Sequence, residues 1–271
     1  MQKLISRIIS LTSVKIFLNL LNRALVFLHL DSNLSIVNFW RKRGENVSFS
    51  NIKIDGFENC QLHENHVLDW QKYDLKNNLS KYLHSQKRAF ILDYGCGTGR
   101  YLNYLSKYTQ FYFLGLDISA SILKNFTQEK FKKNKKIKLV KLDLSQNQKF
   151  AYHFAGKFDA TYSISVVQYI KARRLEFFLK NIYRLLKPGG IFYLQFANAN
   201  DQWDRYLTLN YLRYFPQEMI LKLQNSNFKI LDHYSVWQQS KFEKETPPNI
   251  KNYGYVILAS KPVLTSKKGC N

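Results

Sequence analysis

The glycine-containing segment 91–100, Ile-Leu-Asp-Tyr-Gly-Cys-Gly-Thr-Gly-Arg, constrains the fold of this chain more than any other feature of the sequence. The apolar residues 89–92 at its start are typical of a short buried strand, and the spacing after it predicts a helix over residues 101–107. Glycines between the two elements let the backbone approach a ligand closely, because they carry no Cβ atom. Since the first N–H groups of a helix are unpaired, the segment predicts a nucleotide-binding corner.

The spacing of the glycines separates two kinds of nucleotide-binding turn. A dinucleotide fingerprint has the pattern G-x-G-x-x-G, in which a pyrophosphate lies at the end of the helix. This chain has G-x-G-x-G instead, and Arg100 occupies the place of the third glycine. Asp93, two residues before the first glycine, would repel a pyrophosphate and would suit a cationic group. The turn therefore disfavours a dinucleotide.

The pattern Asp93-x-Gly95-x-Gly97-x-Gly99 resembles the first motif of the class I S-adenosylmethionine-dependent methyltransferases, D-x-G-x-G-x-G. The resemblance implies a Rossmann-like α/β fold, with a seven-stranded, mostly parallel sheet, an antiparallel last strand and helices on both faces. It also implies a methyltransferase whose cofactor is S-adenosyl-L-methionine. The first motif contributes five residues to the predicted cofactor site: Asp93, Gly95, Cys96, Gly97 and Gly99. Cys96 is the variable residue of the turn and is expected to pack there without taking part in chemistry.

Acidic residues at the ends of the next predicted strands extend this cofactor site. Asp117 follows the apolar run 111–116, where a carboxylate can accept hydrogen bonds from both ribose hydroxyls of a nucleoside. Ile118 can pack on the face of an adenine. In the family that the chain resembles, an acid at the position of Asp143, after the predicted strand 136–142, holds the adenine amino group. The remaining predicted cofactor residues are Leu144 and Ser163.

A second motif carries the same resemblance. Residues 181–194 predict a helix that stops at Pro188, turns through two glycines and enters a fifth strand, and this L-K-P-G-G turn is characteristic of the family. Asp159, at the start of the fourth predicted strand, is expected to act as a cap or to face solvent. The predicted organisation has four parts: residues 1–30, a basic amphipathic helix; 31–88, a lid and leading helix; 89–261, the methyltransferase domain; and 262–271, a tail.

The amino-acid composition limits which partners the chain is expected to bind. The chain has 41 Lys and Arg against 19 Asp and Glu, a formal net charge of +22, which attracts phosphate-rich polymers, anionic membrane surfaces or acidic substrates. The lysines are spread along the chain without a recognisable RNA-binding module, so nucleic acid is an alternative partner that the sequence does not favour. Cys60, Cys96 and Cys270 have no paired spacing and no His/Cys cluster. This pattern indicates a reducing interior, without a disulfide framework or a zinc site.

The first thirty residues differ in character from the rest. Residues 3–29 contain no acidic residue, and their polar positions form a narrow stripe at helical spacing beside a wide apolar face. Lys15, Asn19 and Arg23 interrupt the apolar stretches, which argues against a single spanning helix. Three interpretations stay open: a helix on a membrane surface, a mitochondrial-type presequence, or a helix packed on the protein's own domain. The predicted location is cytoplasmic, with membrane association or mitochondrial targeting as alternatives.

Two segments are expected to cover the acceptor side. The predicted lid contains Trp40 and Tyr73, which are candidates either for contact with a ligand or for core packing. The aromatic segment 197–214, after the fifth strand, is expected to form a substrate cap.

The catalytic prediction is less constrained than the cofactor site. Methyl transfer needs alignment of the acceptor, exclusion of water and, for a hydroxyl acceptor, removal of a proton. His66 and His233 are the candidate catalytic residues for that removal. Gln168 and Tyr169 stand where many relatives have a histidine-containing run, which leaves the use of a base open. We predict a small-molecule acceptor, such as a saccharide or a lipid-linked intermediate; the alternatives are RNA and a non-catalytic cofactor-binding scaffold.

Overall fold

The computed structural model describes residues 17, 20–21, 38–42, 61–86, 88–107, 111–127, 134–199, 212–236 and 254–263, with the side chains of 61–67 and 125–127 left out. Seven strands form one sheet in the order β3-β2-β1-β4-β5-β7-β6. The strands are β1 (Phe90–Tyr94), β2 (Tyr112–Asp117), β3 (Ile137–Lys141), β4 (Phe158–Ile164), β5 (Leu186–Phe196), β6 (Lys229–Ser235) and β7 (Tyr255–Ser260).

Helices alternate with these strands along the chain. They are α1 (Gln61–Leu83), α2 (Arg100–Ser106), α3 (Ala120–Thr127), α4 (Gln148–His153), a 3-10 helix (Val167–Tyr169), α5 (Ala172–Leu185) and α6 (Pro216–Asn225). Residues 38–42 are also helical. Among the helices of the described residues, none has the length and apolarity needed to cross a membrane.

The directions of the strands show which edge of the sheet is expected to bind ligands. β1 pairs in parallel with β2 and with β4, and the parallel pairing continues to β3 on one side and β5 on the other. β7 lies antiparallel between β5 and β6. The predicted Rossmann-like sheet with an antiparallel last strand is therefore confirmed. Because β1 to β5 run in the same direction, their carboxyl ends meet at one edge, which is where open α/β sheets bind ligands.

Helices cover both faces of the sheet, as predicted. On one face α1, α2 and α3 bury apolar residues such as Trp70, Leu102 and Leu123. On the other face α4, α5 and α6 bury residues such as Phe178 and Met219. Strands that are covered on both faces usually have nearly continuous apolar sequences. In β4 all seven residues are buried.

A partly buried carboxylate fixes α1 to the sheet. Asp74 accepts hydrogen bonds from the Tyr193 hydroxyl on β5, at 2.7 Å, and from the Tyr234 hydroxyl on β6, at 2.8 Å. Asn78 in turn donates to the Tyr234 oxygen at 2.9 Å. Burial raises the pKa of Asp74, and the two tyrosine hydroxyls oppose that rise. The leading helix therefore docks through a polar network as well as through apolar packing.

The L-K-P-G-G segment differs from its predicted form. β5 begins at Leu186, directly after α5, so the two glycines lie within the strand instead of before it. Lys187 reaches back to Asp159, with 2.6 Å between Nζ and Oδ1, and the other oxygen of Asp159 accepts the N–H of Phe90 at 2.8 Å. Asp159 is 4% exposed. The solvent-facing alternative predicted for Asp159 is therefore wrong, because the side chain joins the starts of three neighbouring strands.

Several predictions fall on other parts of the chain. Most of the predicted amphipathic helix 1–30, residues 200–211 of the predicted cap and residues 264–271 of the tail lie outside the described residues. The division into four parts and the role of the first thirty residues stay predictions.

Candidate functional site

The glycine turn after β1 adopts backbone angles that favour glycine. Gly95, Gly97 and Gly99 have φ of +77°, +54° and +71°. The N–H groups of Gly95 and Cys96 both donate to the carbonyl oxygen of Leu116 on β2, at 2.7 and 3.0 Å. These bonds hold the turn against the end of the neighbouring strand, before α2 begins at Arg100.

Gly95 and Gly97 are glycine for different reasons. A Cβ atom on Gly95 would lie 2.2 Å from Val166 Cγ2, so the backbone there is packed against the turn after β4. A Cβ atom on Gly97 would have no described heavy atom within 4 Å outside its immediate chain neighbours. The turn therefore presents an open concave surface at Gly97, of the kind that a ligand lying on the main chain requires.

Asp117 lies at the end of β2, beside this opening. Its Oδ2 accepts the N–H of Gly97 and its Oδ1 accepts the N–H of Ser119, both at 2.9 Å. Burial raises the pKa of Asp117 to about 6. The backbone N–H groups of Ser119, Gly97 and Ile118 oppose this rise. Each carboxylate oxygen has a second lone pair, so the group can still accept hydrogen bonds from two hydroxyls.

Asp93 is more enclosed than the sequence suggested. The carboxyl group is 2% exposed, and its Oδ2 accepts a hydrogen bond from the Tyr162 hydroxyl on β4 at 2.9 Å. Burial raises the pKa of Asp93 well above its ordinary value, the Tyr162 hydroxyl opposes this, and the charge of Asp117 adds to it. Asp93 pairs with Gly115 across β1 and β2, two residues before Asp117, which places both carboxyl groups in one region of the sheet edge. Direct contact of Asp93 with a cofactor stays a prediction.

Asp143 closes the other side of this region. Its Oδ1 accepts hydrogen bonds from the N–H and the hydroxyl of Ser145, at 2.9 and 2.6 Å, and from the Tyr94 hydroxyl at 3.3 Å. Its Oδ2 accepts the side-chain amide of Gln146. Tyr94 ends β1, so it links the first and third strand ends. We call Asp93, the turn 95–99, Asp117 and Asp143 the cofactor corner.

The other predicted cofactor residues surround the corner. Leu144 is fully buried, and its carbonyl oxygen accepts the Asn181 side-chain amide at 2.9 Å. Ser163 is buried and donates its hydroxyl to the carbonyl oxygen of Tyr94 at 3.2 Å, so this hydroxyl joins β4 to β1. Cys96 is buried in the core, which raises the pKa of its thiol, and Ile118 is half-buried. Contact of any of them with a ligand stays a prediction.

Of the two histidines chosen as candidate bases, His233 lies away from this corner. His233 is exposed on β6, and its Nδ1 lies 2.7 Å from the Tyr255 hydroxyl. β6 is four strand spacings from β1, which is about 19 Å in the plane of the sheet. This placement gives no support to a catalytic role for His233. His66 belongs to α1, and its side chain lies outside the described residues.

The helical segment 38–42 lies against the corner from above the sheet edge. Its carbonyl oxygens at Trp40 and Arg41 accept the hydroxyls of Ser119 and Ser121, at 3.4 and 3.0 Å. The Trp40 ring meets Tyr169 edge-on, with 5.0 Å between ring centroids. The segment therefore spans from the start of α3, next to Asp117, to the turn after β4. Tyr73, the other aromatic of the predicted lid, is half-exposed on α1.

Comparison with known proteins agrees with this geometry. A family model described as "Methyltransferase domain" matches residues 92–192. The 18S rRNA (guanine(1575)-N(7))-methyltransferase of Saccharomyces cerevisiae is 34% identical over 128 residues, which are 44% of this chain and 44% of the yeast protein. The predicted resemblance to the class I S-adenosylmethionine-dependent methyltransferases is confirmed over this domain. The matches also bear out the predicted enzyme class, a methyltransferase, and the predicted cofactor, S-adenosyl-L-methionine.

Other relatives widen the range of acceptors. The Sterol 24-C-methyltransferase of Debaryomyces hansenii is 31% identical over 116 residues, which are 42% of this methyltransferase and 29% of the sterol enzyme. The crystal structure of PH0226 protein from Pyrococcus horikoshii OT3 has a TM-score of 0.56 and 18% identity, and the match covers 75% of this chain and 92% of that chain; it supports the fold alone. The methyltransferase spans less than half the length of the curated relatives named here.

The cofactor corner fits S-adenosylmethionine. The open surface at Gly97 is a cradle that a side chain would fill, and Asp117 beside it can accept ribose hydroxyls. Asp143, two strands from Asp93, lies where an adenine amino group would find an acceptor. The contacts themselves follow from the family resemblance and stay predictions.

Sequence reasoning missed the residues that hold the acids in place. Tyr162 donates to Asp93 from 69 positions away, Tyr94 donates to Asp143 from 49 positions away, and Val166 packs against Gly95. Short sequence motifs carry no signal for such distant contacts. The three partners can be found only when the strand order is known.

Proposed function

We propose that this methyltransferase transfers a methyl group from S-adenosylmethionine to N7 of a guanine base in RNA. The observation that carries the proposal is its 34% identity to an 18S rRNA guanine N7-methyltransferase. A bovine 18S rRNA (guanine-N(7))-methyltransferase is likewise 34% identical, over 125 residues. The net charge of +22 supports an RNA acceptor, because neutralising phosphates dominates the affinity for nucleic acid.

The methyl transfer requires little of the protein beyond positioning the two reactants. When bound, S-adenosylmethionine supplies a methyl group already activated by its sulfonium. Guanine N7 carries a lone pair and no proton, so its methylation needs no general base. The chain then has to align the base with the methyl group and exclude water, which is worth several kcal/mol, about 7–11 in well-oriented intramolecular reactions. The turn 95–99 and Asp117 would fix the cofactor, and segment 38–42 would shield it from solvent.

A direct test uses purified protein, methyl-labelled S-adenosylmethionine and an unmodified transcript of small-subunit ribosomal RNA from the protein's own source. We expect label in the RNA, and digestion to nucleosides should give labelled 7-methylguanosine. The rate of methyl transfer should fall steeply between about 50 and 200 mM salt. A labelled nucleoside other than 7-methylguanosine would exclude the N7 assignment. Label in no RNA at all would exclude RNA as the acceptor.

A small-molecule acceptor is the second candidate, because the sterol methyltransferases match over a similar share of the chain. Incubation with a lipid extract and a polar extract of the same source separates this candidate from RNA. Cofactor binding without turnover on RNA or on either extract would instead support the scaffold alternative.

A further inference from the structure

Two glutamine side chains are buried at the carboxyl ends of neighbouring strands. Gln168 and Gln195 are each 4% exposed. Within the described part of the chain, neither Gln168 Oε1 nor Gln195 Oε1 accepts a hydrogen bond. A buried acceptor without a donor costs about 1–3 kcal/mol, so each such group in a native structure requires an explanation.

The two glutamines lie at neighbouring strand ends. Gln195 is the residue before the last of β5, and Gln168 lies in the 3-10 helix that follows β4. The N–H of Ser165 donates to the carbonyl oxygen of Gln195 at 3.0 Å, which ties the turn after β4 to the end of β5. We call the turn 165–170 together with Gln195 the acceptor edge. It adjoins the cofactor corner through Val166, which packs on Gly95.

Aromatic rings lie beside the acceptor edge. Tyr169, next to Gln168, contacts the rings of Trp40 and Phe39, with 5.0 and 6.3 Å between ring centroids. Single-stranded RNA is read by proteins that stack a base on aromatic side chains and hydrogen-bond its Watson–Crick edge. The acceptor edge contains both kinds of group.

We propose that Gln168 and Gln195 select guanine by accepting hydrogen bonds from its Watson–Crick edge; this inference rests on the proposed function. Guanine presents two donors there, the N1–H and the 2-amino group, whereas adenine presents an acceptor at N1. Binding by the N1–H and 2-amino groups leaves N7, on the Hoogsteen edge of the purine, free to meet the methyl group. Both glutamine oxygens are closed to solvent in this structure. Entry of the base therefore requires that the residues around these oxygens move.

The test compares matched variants on a matched substrate pair. Gln168→Met and Gln195→Met keep the side-chain length and remove the acceptor. Gln224→Met makes the same change on an exposed residue at the end of α6 and serves as the control. The substrates are two RNA oligonucleotides around the mapped methylated guanine, one with guanine and one with inosine at that position. Inosine lacks only the 2-amino group.

Wild-type protein and Gln224→Met should lose about tenfold in kcat/KM on the inosine oligonucleotide, the value of one hydrogen bond. One of the variants Gln168→Met and Gln195→Met removes the oxygen that accepts the 2-amino group. In that variant the inosine penalty should disappear. The other variant should lose about tenfold on both oligonucleotides and keep the penalty, because its oxygen accepts N1–H. Affinity for S-adenosylhomocysteine should be unchanged in all of them.

A full inosine penalty in both variants, with unchanged kcat/KM on guanine, would overturn the inference while leaving the proposed function intact; the oxygens would then be satisfied by water. Failure of the wild-type protein to methylate guanine would overturn both. If a methionine variant does not fold, Gln168→Asn or Gln195→Asn, which withdraws the oxygen by one carbon, gives the same comparison.

Discussion

The cofactor corner and the acceptor edge are adjacent stretches of the same sheet edge, but they differ in how their buried polar groups are satisfied. At the corner, each of the three acids accepts at least one hydrogen bond from the protein itself, for example from Gly97 and Ser119 to Asp117. At the acceptor edge, the oxygens of Gln168 and Gln195 accept none within the described residues. This is the difference expected between a preformed cofactor site and an acceptor site that its ligand completes.

The largest expected effect comes from comparing two glycines of the cofactor corner. Gly95 packs against Val166, whereas Gly97 faces open space. Gly95→Ala should destabilise the protein by roughly 2–5 kcal/mol, because a left-handed backbone adds to an overlap with Val166. Gly97→Ala carries the backbone cost alone, about 1–2 kcal/mol. Thermal or urea unfolding measures both. Equal destabilisation by the two substitutions would show that the space at Gly97 is not open.

Asp117→Asn should weaken binding of S-adenosylhomocysteine by about 1–3 kcal/mol, roughly 5- to 150-fold, through weaker hydrogen bonds to the ribose. Titration calorimetry gives the affinity, and Asp159→Asn, a change at the opposite end of the sheet, is the control. Unchanged affinity in Asp117→Asn would remove Asp117 from the site.

The same residue predicts a pH dependence. The pKa of Asp117 is raised from 3.8 to about 6, so the stability that its protonated form contributes is complete below pH 3.8 and is lost as pH rises through 6. Ribose hydroxyls donate to the ionised form, so affinity for S-adenosylhomocysteine should increase through the same range. Asp117→Asn should lack this increase. An affinity that is flat between pH 5 and 7.5 in the wild-type protein would contradict the assignment.

Tyr162→Phe should lower stability by roughly 1–2 kcal/mol, because Asp93 loses its donor while staying buried. Gln168→Met, on the acceptor edge, should leave stability unchanged or raise it, because it removes an acceptor to which no described residue donates. Unfolding midpoints of the two variants compare the regions directly. A loss in Gln168→Met as large as that in Tyr162→Phe would show that the two regions do not differ in this way.

The smallest effect is expected at His233. His233→Gln should change both methyl transfer and stability by no more than about 0.5 kcal/mol, because the side chain is exposed and far from the corner. A loss of methyl transfer above tenfold, with stability retained, would restore the catalytic role that the sequence suggested.

The sequence predicted the order of the elements well, because each depends on a local pattern. Apolar runs that end in Asp117 and Asp143 gave β2 and β3 within one or two residues. The short helix α4 was not predicted, since its six residues are too few for a helical period. Its start is marked only by Asn147, whose side chain accepts the N–H of Phe150.

What could not be predicted depends on contacts between distant parts of the chain. Lys187 and Asp159 form an ion pair across β4 and β5, and this pair explains a lysine that the sequence assigned only to a turn. The distance of His233 from the cofactor corner depends on the strand order, which places β6 at the far edge of the sheet. The orphan oxygens of Gln168 and Gln195 depend on which donors lie near them, which no sequence pattern records.

The most direct test of the account is calorimetric titration of S-adenosylhomocysteine, and separately of NAD, into the wild-type protein and Gly97→Ala. The account predicts that the wild-type protein binds S-adenosylhomocysteine and not NAD. It also predicts that Gly97→Ala stays folded and loses most of that affinity, since the added methyl group enters the space of the cofactor. Unchanged binding in Gly97→Ala, or tight binding of NAD, would contradict it.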